Sequence, residues 1–112
     1  MRKITKNAVD AFMNKKRFVG TNTEVGFNPL TKRMEMYLHG NLIAWVEDGA
    51  LIASNCGWNS RTTVERLHHL ILEWTKGAYG YAQRKGGKLL EYMKDGSVTE
   101  RDWINGMRFY PN

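Results

Sequence analysis

Cysteine and proline are scarce in this sequence, and long apolar runs are missing. The single cysteine, Cys56, cannot form a disulfide within the chain, which excludes a disulfide-stapled scaffold and indicates a reducing, cytoplasmic setting. No apolar run approaches the ~20 residues of a membrane-spanning helix, and the basic first residues lack the apolar stretch of a signal peptide. The two prolines, Pro29 and Pro111, do not mark an interdomain linker. We therefore expect no membrane partner.

The length and composition predict one globular domain. The chain has 112 residues, of which 42% are hydrophobic and 25% are charged, close to ordinary globular usage. Two domains would leave each half too small to bury a core of its own, so we assign residues 1–112 to a single domain.

Positive charge is concentrated at the two ends of the chain. The formal net charge is +6, and residues 1–17 contain six basic residues against one acidic residue. Residues 76–112 contain seven basic and four acidic residues, whereas the middle carries a slight acidic excess. A basic surface attracts phosphate backbones through counterion release and acidic proteins by electrostatic steering. The same charge also suits an ordinary solvated face, so charge alone does not identify a partner.

A helix and a β-meander are predicted in the first half of the chain. The helix runs from about Thr5 to Lys16, with Thr5 or Asn7 as its cap, and its apolar residues at helical spacing are Ala8, Val9, Phe12 and Met13. Residues 23–55 predict a three-stranded antiparallel meander, in which Asp48 and Gly49 give the strongest hairpin signal. Its strand-like runs are Glu24–Phe27, Arg33–Leu38, Leu42–Val46 and Leu51–Ala53.

A second helix is predicted to begin at Thr62, because Thr62 and Glu65 have capping-box spacing, and to end near Gly77. Its apolar stripe consists of Val64, Leu67, Leu70, Ile71 and Trp74. After Gly77 the pattern allows a strand or a loop over 77–82, a strand or a helical turn over 88–93, and a short helix or an edge strand over 98–104.

This order of elements predicts an α+β fold: an N-terminal helix, an antiparallel β-meander, a second helix packed on the sheet, and a mixed C-terminal region. The residues that we expect in the core are Phe12, Leu38, Ile43, Trp45, Ile52, Val64, Leu67 and Ile71.

Five segments of the first two thirds of the chain carry a family resemblance: 3–12, 21–25, 38–44, 54–59 and 62–67. Together they cover roughly residues 3–67, and they resemble a family of short, mostly uncharacterised tailed-bacteriophage proteins. Members of the family tend to follow the second helix with a proline-containing turn, whereas residues 67–72 contain no proline. The resemblance implies a phage or prophage origin and expression inside a bacterial cell, and it implies no activity.

The sequence shows no recognisable catalytic or metal-binding pattern. Cys56 has no local nucleophile signature, and one cysteine with the tandem His68 and His69 does not have the spacing of a zinc site. A phosphate-binding loop, a dinucleotide fingerprint and a Ser–His–Asp order are all missing. We therefore predict that the protein is not an enzyme and uses no cofactor or metal.

Two sets of residues have the composition of a binding surface. A partner-binding loop is predicted from residue types that are common at protein interfaces, and its members are Asn55, Trp58, Asn59 and Arg61. A nucleic-acid-binding surface is the alternative, since aromatic rings stack on bases and cations bind phosphates; its members would be Lys15, Lys16, Arg17, Tyr79, Tyr81, Arg84, Lys85 and Lys88. Structural roles also fit, with Trp58 as a core plug under the helix and the two tyrosines as one face of a strand.

These observations predict a non-enzymatic phage accessory protein in the cytoplasm of the infected bacterium. Its partner would be a host protein or a ribonucleoprotein complex, such as a nucleic-acid-handling or defence complex, which it would inhibit or modulate in the manner of an anti-CRISPR protein. Direct, sequence-tolerant DNA or RNA binding is the alternative. A small hydrolase or nuclease is a third possibility that no motif supports.

Overall fold

The computed structural model describes residues 2–111, which contain two helices and nine strands. The helices are α1 (Lys3–Met13) and α2 (Arg61–Trp74). The strands are β1 (Phe18–Val19), β2 (Thr23–Asn28), β3 (Arg33–Leu38), β4 (Asn41–Glu47), β5 (Ala50–Ala53), β6 (Tyr79–Ala82), β7 (Lys88–Tyr92), β8 (Val98–Asp102) and β9 (Met107–Phe109). The predicted α+β class is confirmed. Within residues 2–111, neither helix is both long and apolar enough to cross a membrane.

The strands form two antiparallel sheets. The larger sheet has the order β1-β2-β3-β4-β5-β9, and the smaller one has the order β6-β7-β8. The meander has four strands rather than the predicted three, because each of the four strand-like runs forms a strand of its own. The hairpin at Asp48 and Gly49 is confirmed, and both residues have the positive φ angles, 52° and 77°, that a two-residue hairpin turn requires.

Both predicted helix caps are wrong, although both helices are present and begin within two residues of the predicted starts. Arg2 precedes α1 without a side-chain cap, and Thr5 lies buried inside the helix. In α2 the cap is Ser60, whose hydroxyl accepts a hydrogen bond from the Thr63 amide at 3.2 Å. The end of α2 is as expected, because Gly77 adopts a φ of 85° and its amide donates to a carbonyl of the last helical turn.

The core lies between the two helices and one face of the larger sheet. Six of the eight predicted core residues are buried, and the exceptions are Trp45 and Val64, which are half-buried. Trp45 is on the opposite face of β4 from the fully buried Ala44, because successive strand residues point to opposite faces. On that face the Arg33 guanidinium lies 5.2 Å from the centre of the Trp45 ring.

The C-terminal region consists of strands where the sequence left alternatives open. Residues 79–82, 88–92 and 98–102 form the smaller sheet, and every residue of its edge strand β8 is exposed. Trp103 connects this region to the core, since its ring packs edge-on against Tyr81 at 4.7 Å and stacks on Phe109. The smaller sheet also packs on α2 through β6.

A buried carboxylate stabilises the β2–β3 hairpin. Glu35 is 1% exposed and accepts hydrogen bonds from Tyr37 at 2.6 Å, Asn28 at 2.9 Å, and Thr31 and Arg33 at 3.0 Å each. Burial alone would raise the pKa of Glu35, but these hydrogen bonds outweigh it and hold the pKa below its ordinary value.

Acid is therefore expected to destabilise the protein through Glu35. Because the folded pKa lies below the unfolded one, the stabilisation is complete above the ordinary glutamate value of 4.5 and is lost as the pH falls through the folded pKa. In urea unfolding at about pH 6, Glu35→Gln should be about 2 kcal/mol less stable than wild type, and the difference should shrink towards about pH 3. An equal loss of stability at both pH values would contradict this role.

Candidate functional site

The loop between β5 and α2, residues 54–60, exposes a large aromatic side chain and is called the Trp58 loop here. Trp58 is 65% exposed, so the interpretation of this residue as a core plug is wrong. Arg61, the first residue of α2 and three positions after Trp58, is also exposed. Two of the four predicted partner-binding residues therefore present their side chains to solvent.

Asn55 anchors the Trp58 loop to the protein instead of presenting it to a partner. It is 6% exposed, its backbone amide donates to the Asn105 side chain at 2.9 Å, and its side-chain oxygen accepts from the Gly57 amide at 2.9 Å. Its side-chain amide donates to the Tyr81 hydroxyl at 3.0 Å and to the Gly86 carbonyl at 3.2 Å. The prediction of Asn55 as a contact residue is therefore corrected: its polar groups are already engaged.

Further hydrogen bonds hold the loop on both sides of Trp58. The Trp58 amide donates to the Asn55 carbonyl at 2.8 Å, and the Cys56 thiol donates to the Leu42 carbonyl at 3.0 Å. Asn59 accepts from the Tyr81 hydroxyl at 2.5 Å, and it exchanges hydrogen bonds with Gln83. Asn59 is thus half-buried and structural, and the backbone that carries Trp58 is fixed before any partner arrives.

A cleft of about 430 Å³ lies next to Trp58 and is called the Trp58 cleft. It is lined by Leu38, His39, Asn41, Ile43, Asn55, Trp58, Ser60 and Thr63. Its apolar lining comes from the buried Leu38 and Ile43, and no lysine, arginine or carboxylate from residues 2–111 takes part. A cleft of this size and character suits an uncharged side chain better than a phosphate.

Sequence reasoning missed the β3–β4 turn as part of this site. His39 and Gly40 form the turn with positive φ angles of 51° and 79°, and Asn41 follows them at the rim of the cleft. The strand-like runs that end at Leu38 and begin at Leu42 leave a short connection here, but nothing local indicates that it lines the same cleft as a loop that begins at residue 54.

The predicted C-terminal nucleic-acid surface is largely used up by contacts within the protein. Tyr81 is 2% exposed and packs against Trp103, so its prediction as a base-stacking residue is wrong. Tyr79 is half-buried and packs edge-on against Phe109. Arg84 forms an ion pair with Glu100, and Lys88 forms one with Asp102, so four of these five predicted residues are neutralised or covered. Lys85 is exposed on the 84–87 turn.

The N-terminal basic cluster is different. Lys15, Lys16 and Arg17 are all exposed, and none of them takes part in an ion pair among residues 2–111. These three cations remain available to an anionic partner.

Among residues 2–111, no hydrogen bond joins the Cys56 thiol to a histidine. The His68 ring accepts a hydrogen bond from the Tyr81 amide at 3.0 Å, and burial, followed by the neighbouring His69, lowers the pKa of His68. The Cys56 thiol faces a backbone carbonyl. Within residues 2–111, no group of three or more His, Cys, Asp or Glu residues is placed to hold a metal ion.

Comparison with known proteins gives one informative match. Neither the curated proteins nor the solved structures contain a chain that matches this one. The sequence model of one family, described as Kyanoviridae Gp96 protein, matches residues 1–110. The resemblance to phage proteins is thereby confirmed, and the match reaches beyond residue 67 into the C-terminal strands. Because it spans almost the whole chain, this protein belongs to the Kyanoviridae Gp96 family of phage proteins.

Proposed function

We propose that this phage protein acts without catalysis in the cytoplasm of the infected bacterium, by docking on a host protein and inhibiting or modulating it. The contact surface consists of Trp58, Arg61 and the Trp58 cleft. The observation that supports it most strongly is a tryptophan that is 65% exposed on a loop fixed by hydrogen bonds.

The energetics favour such a tryptophan as an interface anchor. Two thirds of a tryptophan surface is roughly 150 Å², and its burial contributes about 4 kcal/mol at about 25 cal/mol per Å². A mobile loop would lose part of this gain through ordering on binding, whereas the Trp58 loop is already ordered by Asn55 and Asn59. The exposed Arg61, three positions later in the chain, adds a planar group that binds carboxylates and carbonyls.

The charge of the protein narrows the class of target. With a net charge of +6 the protein is not a mimic of DNA, so it is expected to approach an acidic or apolar patch on its target. Nucleic-acid-handling proteins and defence complexes, including targets of the anti-CRISPR kind, are the host machinery that we propose.

Truncation of Trp58 is expected to weaken partner binding about thirtyfold or more, since buried tryptophan anchors typically contribute at least about 2 kcal/mol. Nuclease-treated lysate of the bacterial host is passed over the immobilised wild type, Trp58→Ala and Tyr110→Ala. Tyr110 is 64% exposed and far from the loop in sequence, which makes it a matched aromatic control. Affinity for the captured protein should fall in Trp58→Ala alone. Equal capture by all three proteins would rule out Trp58 as the anchor.

Direct nucleic-acid binding retains one supporting observation. Lys15, Lys16 and Arg17 are exposed cations without ion pairs among the described residues, although the buried Tyr81 removes one of the aromatic platforms that this function needs. Binding of a short oligothymidine, compared with the binding of peptides of either charge, tests this alternative.

A further inference from the structure

Strand β2 has a free edge where its neighbour β1 stops. β1 pairs only as Phe18 with Val25 and Val19 with Glu24, so that residues 26–28 of β2 have no partner on this side among residues 2–111. The chain before Phe18 leaves the sheet because the Lys16 amide donates to the Ala11 carbonyl at the end of α1, at 2.8 Å. Strand addition to such an edge is a recurring way to bind extended peptides.

The hydrogen-bond register shows which groups of β2 face this edge. The Gly20 amide donates to the Thr23 carbonyl at 2.8 Å, so Thr23 and every second residue after it direct their backbone groups towards β1. The His39 amide donates to the Asn22 carbonyl at 2.8 Å, so the even-numbered residues face β3. Both observations place the amide and the carbonyl of Phe27 on the free edge, and neither group has a hydrogen-bond partner among residues 2–111.

Side chains around this edge supply positive charge and apolar surface. A cleft of about 550 Å³ lies at this edge, and Lys15, Arg17 and Phe27 are among the residues that line it. Phe27 is 59% exposed. Two carboxylates also line the cleft. Glu35 is already engaged by four hydrogen bonds, one of them from the cationic Arg33, whereas the exposed Glu24 repels anions, so the anion-binding part of the cleft is the part lined by Lys15 and Arg17.

We propose that the β2 edge binds an acidic, extended segment of a protein partner. The segment adds to β2 at Phe27, where its backbone supplies both an acceptor for the amide and a donor for the carbonyl. Its carboxylates then lie beside Lys15, Lys16 and Arg17. A phosphate backbone has no donor for the Phe27 carbonyl, which is why the geometry favours a polypeptide over a nucleic acid. This surface is separate from the Trp58 cleft, so either proposal can fail while the other holds.

The first arm of the test compares three ligands with the full chain. We expect a short capped peptide of alternating glutamate and valine to bind, and its lysine–valine counterpart and a short oligothymidine to bind at least about tenfold more weakly. Binding should also protect the Phe27 amide from hydrogen exchange. Tighter binding of the oligothymidine, or binding of the acidic peptide without protection of that amide, would overturn the proposal.

The second arm separates the Phe27 amide from the Phe27 side chain. Phe27→Pro removes both, whereas Phe27→Ala removes only the side chain; proline is tolerated here because the lost amide faces away from β3. Phe27→Pro should bind the acidic peptide about fivefold more weakly than Phe27→Ala, the effect of one hydrogen bond. Replacing Lys15, Lys16 and Arg17 by alanine should weaken binding about tenfold. Equal affinities of the proline and alanine variants would exclude strand addition. If Phe27→Pro does not fold, protection of the Phe27 amide from hydrogen exchange in the wild type decides between the two outcomes instead.

Discussion

Replacing Glu65 with glutamine is expected to lower the free energy of unfolding by about 3 kcal/mol, because it leaves a buried guanidinium without its counter-charge. The Arg66 side chain is 0% exposed, and its nearest carboxylate oxygen belongs to Glu65 at 3.1 Å. Burial lowers the pKa of Arg66 and the neighbouring Arg2 acts in the same direction, whereas Glu65 opposes both effects. Arginine nevertheless stays protonated, so loss of Glu65 cannot be relieved by loss of the proton.

Hydrogen bonds from Arg66 connect three elements of the fold. Its guanidinium donates to the Thr23 hydroxyl of β2 at 3.1 Å, to the Thr5 hydroxyl of α1, and to the Asn22 side chain at 3.4 Å. Thr5 in turn donates to Glu65 of α2. Because these contacts join residues 43 to 61 positions apart, their loss should loosen the packing of α1 on α2 and β2 together.

A double-mutant cycle measures the coupling free energy between Glu65 and Arg66. Arg66→Met removes the buried charge, so Glu65→Gln should cost at least about 1 kcal/mol less in the Arg66→Met background than in the wild type. Arg2→Met is the control, because Arg2 is exposed and pairs with the same carboxylate at 3.0 Å. This substitution should lower the free energy of unfolding by only about 0.5 kcal/mol. Urea unfolding of the four variants gives these values. Additive effects of the two substitutions would show that the charges are not coupled.

The hydrogen bonds of Arg66 show which features of the fold cannot be predicted from the sequence. Periodicity identified the apolar stripe of α2, and Leu67 and Ile71 are buried as predicted. The same reasoning assigns a charged residue to the solvent face, and it has no means of seeing that Thr5 and Thr23 will supply hydrogen bonds to Arg66. Burial of a charge depends on partners that are distant in sequence, whereas a hairpin such as the one at Asp48 depends on its own turn residues.

The C-terminal strands were ambiguous for a different reason. Residues 88–92 form a run of five residues, which is too short to show whether its period is that of a strand or of a helix. Pairing decides the matter: β7 lies between β6 and β8 and is bonded on both sides. Information of this kind is not present in the run itself.

Composition located the candidate site but could not assign roles within it. Trp58, Asn55 and Tyr81 all belong to residue types that are frequent at interfaces, and only Trp58 is exposed. Asn55 and Tyr81 are 26 positions apart and form a hydrogen bond with each other. Two residues that were predicted to bind a partner therefore support the loop that carries Trp58. A polar residue near an aromatic one therefore indicates either a binding surface or a buried hydrogen bond, and the tertiary fold decides which.

This support for Trp58 depends on a close approach at position 87. Gly87 has a φ of 100°, and a Cβ added there would overlap the Tyr81 hydroxyl, which binds both Asn55 and Asn59. Gly87→Ala is therefore expected to cost about 3 to 4 kcal/mol, from backbone strain of about 1 kcal/mol together with displacement of a buried, hydrogen-bonded ring. Urea unfolding measures the loss.

The matched variant Gly86→Ala separates the cost of backbone strain from the cost of steric overlap with Tyr81. Its φ is 80° and nothing lies within 4 Å of an added Cβ, so Gly86→Ala should show the backbone strain alone, about 1 kcal/mol. If Tyr81 fixes the Trp58 loop, Gly87→Ala should also increase hydrogen exchange of the Trp58 amide and weaken partner capture, whereas Gly86→Ala should change neither. Equal destabilisation by the two substitutions would mean that the Tyr81 ring can move aside, and the rigidity of the loop would then have to come from its own turn at Cys56 and Gly57.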